Sequence, residues 1–317
     1  MRPPHGSHLP AALIAALLLS LALLAGCGGD DGGGDSREAK ALLERAFSKQ
    51  VKSGDLRLDL KADLEGGGER LKDPIAVKLE GPYRTGSRRQ LPQLDWDVSF
   101  KGLGQSLRGG LVATTANAFL ELQGQAYEVG ARTYQSLSRR YGALQPGRPR
   151  GLTAFGVDPS TWLKDPELEE DGGSIGGDAT RKITGSVDVR KAARDLVELT
   201  RSPALRRQLE RQGRPVPRLG RPTDKDLDEV EDAIQEFDIE VNVDENDVVR
   251  RLFADLDFDV PGDESGDDLK GGRRSFTYVL TKVDTNPVIR APQNPRPLRE
   301  LLGGFGLGAL GGGLDRR

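Results

Sequence analysis

The sequence predicts an α+β fold, a single curved antiparallel sheet wrapped over a few helices, and three observations predict it. Apolar residues spaced by three and four mark helices ahead of, and between, two other regions. Those two regions, near 56–129 and 237–280, alternate apolar and polar residues with a period of two, the mark of strands with one wet face. Short Gly-, Pro- and Asp-rich turns join the alternating runs, a connection that suits antiparallel neighbours. The order helix, meander, helices, meander lets the helices cover one face of one sheet, leaving an apolar crevice between the layers.

The chain opens on Arg2, His5 and His8, followed by an apolar run from Leu9 to Ala25. That run has the length and flanks of an export signal's core and is too short for a confident spanning helix. It ends in Leu24-Ala25-Gly26-Cys27, which resembles the bacterial lipobox, where the thiol takes a diacylglycerol. Cys27 is the only cysteine in the chain. The expectation is a lipoprotein signal over 1–26, with Cys27 acylated and everything after it extracytoplasmic and held at the cell membrane. Two or more acyl chains, diacylglycerol and an N-terminal palmitate among them, anchor stably, at about 0.8 kcal/mol per buried CH₂. Residues 27–36 carry almost nothing apolar and are expected to form a flexible acidic tether, spanning roughly 15–18 Å.

Ser36 is expected to cap a helix over 37–51, because Ala39, Leu42, Leu43, Ala46, Phe47 and Val51 make one stripe. The period then changes. Leu56, Leu58, Leu60, Ala62 and Leu64 alternate with Arg57, Asp59, Lys61 and Asp63, and Gly66-Gly67-Gly68 closes the run. Ile75, Val77 and Leu79 form a second strand ended by Gly81-Pro82, and Leu94, Trp96, Val98 and Phe100 a third. Shorter strands are expected near 107–115, 117–122 and 125–129. A helix over Ala131–Leu144, a helical turn opening at Asp158-Pro159-Ser160, a loop over 172–177 and a strand near 179–187 follow. Helical residues 189–211 are interrupted at Pro203, a loop covers 212–222, and Asp224–Ile234 is a short acidic helix. Phe237, Ile239, Val241 and Val243 share a strand face, and Asp244–Asp247 turns the chain. Leu252, Ala254, Leu256, Phe258 and Val260 make the next face; after a loop over 261–273, Phe276, Tyr278 and Leu280 complete the set. Residues 287–297 are expected to be extended, 297–302 a helix start, and 303–317 a Gly-rich tail. The domain organisation expected is therefore signal 1–26, tether 27–36, one domain over 37–302, and tail 303–317.

Composition removes several function classes. Both histidines lie in the signal and the one cysteine is taken by lipid, so the mature chain lacks the residues of Ser-His-Asp and Cys-His catalysis and of His/Cys zinc sites. No cofactor or metal is expected, and no catalytic residue is marked. The precursor's formal charge is −3, and removing residues 1–26 takes away Arg2 and no acid. A near-balanced, slightly acidic chain does not fit a nucleic-acid partner. The paired arginines at 139–140, 206–207 and 250–251 alternate with acids, as solvated faces do.

Two letter patterns carry little. Gly306, Gly308 and Gly311 have the spacing of a dinucleotide fingerprint, without a strand before them or room for a helix after them. Asp255, Asp257, Asp259, Asp263, Glu264, Asp267 and Asp268 suggest calcium, yet the loop's sixth position is Val260 rather than glycine. The aromatic set Trp96, Phe100, Phe119, Tyr127, Phe258 and Tyr278 reads either as core or as the lining of a lipid cavity, and periodicity alone favours core.

Segments in a fixed order add a resemblance. They are Pro74–Pro82, Leu91–Phe100, Gly124–Val129, Trp162–Pro166, Thr180–Asp188, Val248–Leu252 and Val283–Pro287. Together they resemble the actinobacterial envelope lipoproteins of the LppX/LprA/LprF/LprG family, whose fold is similar to the carriers LolA and LolB. The resemblance implies a half-barrel over helices, enclosing an apolar pocket for the acyl chains of a lipid or glycolipid, and no enzyme. Candidate pocket residues on that reading are Leu58, Leu60, Trp96, Val98, Phe100, Leu256, Phe258, Phe276 and Tyr278. The Arg/Pro-rich stretch near 200–222 departs from the family pattern. A cell-surface interaction or sensing module of the same fold, without lipid cargo, is the alternative; a carboxylate-based hydrolase would need two buried acids facing one cleft. The oligomeric state is open.

If Cys27 is the acylation point, Cys27→Ala protein will leave the membrane fraction and lose the diacylglycerol and acyl mass in intact-mass spectrometry.

Overall fold

The computed structural model describes residues 34–66, 68, 72–86, 90–143, 159–201, 223–259 and 269–304. The export signal and Cys27, the stretch 202–222, Val260 and the acids of 263–268, and the glycine pattern 306–311 with the rest of the tail lie outside the described residues.

In chain order the elements are α1 (Gly34–Ser48), β1 (Ser53–Gly66), β2 (Ile75–Arg84), β3 (Gln93–Gly102), β4 (Gln105–Ala113), β5 (Ala118–Leu122) and β6 (Gln125–Glu128). Then come α2 (Ala131–Ala143), a 3-10 turn (Pro159–Trp162), β7 (Leu163–Glu169), β8 (Ser174–Ile175), β9 (Asp178–Val187) and α3 (Val189–Arg201). The last group is α4 (Asp224–Ala233), β10 (Ile234–Asp244), β11 (Val249–Asp259), β12 (Leu269–Thr281), β13 (Arg296–Pro297) and α5 (Leu298–Gly304). The strands join in the order β13-β6-β5-β4-β3-β2-β1-β12-β11-β10-β9-β7, with β8 paired to β9. Pairing is antiparallel except at the short β13–β6 contact. The α+β class and the antiparallel sheet are as the alternation predicts.

The described residues divide into two compact units, and both β1 and β12 run through the division. The first unit takes α1, β1 from Lys61, and the elements from the 3-10 turn to Thr277 of β12. Its strands bury one face thoroughly: Phe237 pairs with Leu256, Ile239 with Ala254 and Val241 with Leu252, and Val241 also faces Ile183. Leu256, Phe258 and Ala254 have no accessible surface. Helices supply matching apolar stripes, Ala39, Leu42, Leu43 and Ala46 on α1, Ala192, Ala193 and Val197 on α3, and Leu227, Val230 and Ala233 on α4, all buried. Trp162 is buried with them, its indole N–H donating to Asp195 Oδ2 at 2.8 Å.

Two polar devices fix this unit. At the β10–β11 hairpin Asp244 accepts from the Asn246 and Val248 backbone N–H groups, each at 2.9 Å, and from Arg250 Nε at 2.7 Å. Both side chains are nearly inaccessible, and Arg250 also reaches Asp178 at 2.7 Å. At the start of α4, Thr223 Oγ1 accepts from the Asp226 N–H while Asp226 Oδ2 accepts from the Thr223 N–H, a closed capping box.

The second unit takes residues 50–60, β2 to β6, α2, and the chain from Tyr278 to α5. Its buried cluster is small: Val112, Phe119 and Ile289. Tyr134 on α2 is buried and its hydroxyl donates to the Thr114 carbonyl, tying the helix to the end of β4.

Several boundaries differ from the sequence reading, each for a visible reason. Helix α1 begins at Gly34 and ends at Ser48, so Ser36 lies inside it rather than capping it, and Val51 is outside. The end of the stretch read as tether, 34–36, is thereby helical. Strand β2 continues past Gly81-Pro82 to Arg84; Gly81, at φ +147°, sits where a Cβ would stand 2.1 Å from the Asp95 carbonyl oxygen. Strand β7 was not foreseen, because Pro166 removes a donor; at the sheet's edge, beside a register shift, that loss is tolerated. Strand β12 begins at Leu269 rather than after 273. Gly272 permits this, since a Cβ there would meet the Asp63 carbonyl oxygen at 2.2 Å. The loop 172–177 contains the two-residue strand β8. Gly303 and Gly304, read as tail, close α5.

Removing one partner of a buried, hydrogen-bonded ion pair costs about 3–5 kcal/mol; Asp244→Ala should lose that much in urea unfolding. Thr223→Ala opens the capping box and should lose about 1 kcal/mol in the same measurement.

Candidate functional site

The site follows from strand register. In β2–β3 Val77 faces Phe100, Leu79 faces Val98 and Tyr83 faces Leu94. In β3–β4 Trp96 faces Leu111 and Phe100 faces Leu107; in β4–β5 Leu111 faces Leu120 and Gly109 faces Leu122; Leu120 then faces Tyr127 on β6. Residues that pair directly point to the same side, so these make one apolar face across five strands. The other side of β2 and β3 carries Lys78, Glu80, Asp95, Asp97 and Lys101.

Strand β1 extends both faces. A Cβ on Gly54 would lie 2.9 Å from Leu280 Cδ1, so Gly54, Leu56, Leu58 and Leu60 share a side with Leu280 and, two residues earlier on β12, Tyr278. Arg57 stands on the opposite side, bonded to Asp59 at 2.6 Å. Its pKa is raised by that hydrogen bond first, then by the Asp59 charge, with a further contribution from Glu80. The charged sides of β1 and β2 therefore coincide, and so do their apolar sides.

What distinguishes this face is incomplete burial. Leu56, Leu58, Val77, Leu79, Leu94, Trp96, Val98, Phe100, Leu111 and Leu122 are all half-buried, and Leu60, Leu107 and Leu120 are 39%, 53% and 37% exposed. Every exposed large hydrophobic side chain among the described residues belongs to the second unit, and none to the first. Full burial of such a side chain is worth about 1.5–3 kcal/mol, so each half-exposed one forgoes on the order of 1 kcal/mol. An apolar face this wide is larger than single scattered surface residues explain.

Among the described residues four buried polar atoms lack a hydrogen-bond partner, Ser36 Oγ, Asn242 Oδ1 and two strand donors. Trp96 Nε1 is buried without a hydrogen-bond partner, and so is Arg274 Nε on β12. An unsatisfied buried donor costs about 1–3 kcal/mol. Burial lowers the Arg274 pKa from its ordinary value. Burial also raises the Tyr83 pKa, with Asp284 adding to it.

The structure divides the sequence-derived pocket residues. Leu58, Leu60, Trp96, Val98, Phe100 and Tyr278 lie in the second unit, the first five on the half-exposed face and Tyr278 beside them on β12. Leu256, Phe258 and Phe276 lie in the first unit. Phe276 is half-buried, whereas Leu256 and Phe258 are sealed and present no surface to a ligand in this conformation. Sequence reasoning placed Val77, Leu79, Leu107, Leu111, Leu120 and Leu122 in strands without assigning them to the site; their parity with Trp96 across consecutive hairpins was the available signal.

Among the described residues no group of His, Cys, Asp and Glu could hold a metal ion, and no helix is long and apolar enough to cross a membrane. No protein-family model matches the sequence, and no curated protein matches it. Among solved structures, LprF from Mycobacterium bovis matches over 82% of this chain and 99% of its own, at 13% identity and a TM-score of 0.39. A porin-like protein from Bacteroides uniformis matches over 71% of this chain and 96% of its own, at 9% identity and a TM-score of 0.20. The fold class rests on the strand order itself.

Proposed function

We propose that this chain is a membrane-anchored extracytoplasmic lipoprotein that binds the acyl chains of a lipid or glycolipid, for carriage or chaperoning across the envelope. The half-exposed apolar face of β1–β6 is the observation that carries the reading. The lipobox at Leu24–Cys27 and the ordered segments resembling the LppX/LprA/LprF/LprG family support it.

The mechanism is desolvation. Acyl methylenes leave water and cover Leu58, Leu60, Trp96, Val98 and Phe100, with Tyr278 next to them, at about 25 cal/mol per Å² of apolar surface removed from water. The protein side gains as well, because its own half-exposed side chains lose their contact with water. Leu256 and Phe258 act as core beneath the helices. Cys27, acylated, holds the binding face near the bilayer that supplies or receives the cargo. No residue is assigned a catalytic role.

Native mass spectrometry with lipid extraction, on protein lacking residues 1–27 made in an envelope-like host, tests the reading. Acyl lipids should co-purify with the wild type. Leu107→Glu and Leu120→Glu put charge on two of the three exposed positions of this face, each at a stability cost of about 1–2 kcal/mol; their retained lipid should fall sharply. A wild type that carries no lipid, and instead captures a specific protein on this face, would establish the interaction module in its place.

A further inference from the structure

We propose that one end of the second unit, where α2, β13 and α5 leave the sheet, docks on a bilayer of anionic phospholipid. The inference goes beyond acyl binding and does not depend on it.

Charge divides unevenly between the two units. Among the described residues the first unit carries 19 Lys and Arg against 30 Asp and Glu, and the second carries 13 against 9. The near balance of the whole chain therefore conceals an acidic unit and a cationic one. Such asymmetry is the footprint of a charged partner.

The exposed arginines of the second unit gather at one end of its sheet. Ala113 pairs with Ala118 where β4 turns into β5, and Phe119 pairs with Glu128 at the end of β6. Strand β13 runs parallel to β6, with Arg296 facing Tyr127 and Pro297 facing Glu128. Helices α2 and α5 therefore start at this same end, at Ala131 and Leu298. Two anchors hold the chain there: the Tyr134 hydroxyl donates to the Thr114 carbonyl, and Ile289 is buried with Val112 and Phe119.

Arg132, Arg139, Arg290, Arg296 and Arg299 are all exposed, and no ion pair joins them to a described carboxylate. Seven residues apart, Arg132 and Arg139 share the face of α2 opposite the buried Tyr134. The helix holds three arginines and no acid, so the pair at 139–140 does not alternate with acids as the sequence reading has it. Within β6, α2, β13 and α5 the acids are Glu128, which accepts from Asn117 at 3.2 Å, and the exposed Glu300. Beside the anchored Ile289 stands Val288, at 77% the most exposed large hydrophobic side chain of the described residues; Leu137 on α2 is 44% exposed.

This chemistry selects the partner. A guanidinium fork matches two oxygens of a phosphate, and all five cations are arginines. The headgroup layer of a bilayer takes up both cations and apolar side chains, whereas a nucleic-acid backbone offers nothing to Val288 or Leu137. The lipobox reading independently places a bilayer beside the chain.

Vesicle co-sedimentation tests this with the chain from Gly28 onward, which keeps every described residue and has no acyl anchor. Wild type should sediment with phosphatidylcholine vesicles containing about 30% phosphatidylglycerol, and not with phosphatidylcholine alone. Binding should vanish toward 1 M salt, where the screening length falls to about 3 Å. Changing the five arginines to glutamine should weaken binding by about fivefold per arginine, and changing them to lysine should keep most of it. A matched loss of exposed cations from the first unit, Lys49→Gln, Lys61→Gln, Lys164→Gln, Lys225→Gln and Lys270→Gln together, should leave binding within about twofold of wild type. Equal sedimentation with both vesicles overturns the surface, as does a glutamine variant that binds like wild type or an equal loss in the first-unit variant. Tighter retention on soluble polyphosphate than on the vesicles overturns it in favour of a polyanion site. Loss in the lysine variant with a lowered melting temperature would mark the arginines as structural. Docking by a chain that yields no acyl lipid on extraction leaves this surface standing and removes the acyl-binding reading instead.

Discussion

An amphipathic strand has one face that water disfavours, and the organisation of this molecule depends on how that face is covered. Where β9, β10 and β11 present Ile183, Val241 and Leu256, helices α1, α3 and α4 supply apolar stripes, and the surface disappears. Where β1 to β5 present Leu60, Trp96, Phe100, Leu107 and Leu120, the described residues cover them only in part. The strands are paired to their neighbours in both regions, so strand pairing does not explain the difference. It lies in the side chains, and in a folded monomer a wide half-covered apolar face is the exception that asks for a ligand or partner.

Polar groups do not divide in the same way. In the first unit buried charge is compensated at close range, as at Asp244, Arg250 and Asp178, and the capping box of α4 satisfies both of its N–H groups. Among the described residues Ser36 Oγ, Asn242 Oδ1 and Arg274 Nε of the first unit and Trp96 Nε1 of the second are buried without a hydrogen-bond partner.

Much of this was legible in the sequence. The period-two runs at 94–100, 237–243 and 252–258 correspond to β3, β10 and β11, and the acids of Asp244–Asp247 correspond to a tight hairpin turn. Local exceptions were not. Pro166 conceals β7, since a proline argues against a strand unless the strand is known to lie at an edge. Gly271-Gly272 conceal the start of β12, since their role is a close approach between strands that periodicity does not record. Periodicity also treats Leu256 and Val98 alike. One is sealed and the other half-buried, and that is a tertiary fact. Arg274 could have been placed on the face of Phe276 by counting two residues; that its Nε meets no acceptor among the described residues could not.

The two tryptophans offer the most direct test of the central claim. Trp96 lies on the half-exposed face and Trp162 in the sealed core, and the chain has no others. Single-tryptophan variants, Trp162→Phe and Trp96→Phe, titrated with a bromine-labelled palmitate, separate the two environments, since bromine quenches indole fluorescence only at close contact. The account predicts saturable quenching of Trp96 and none of Trp162. Quenching of Trp162 with Trp96 untouched, or of neither at saturating ligand, would contradict it.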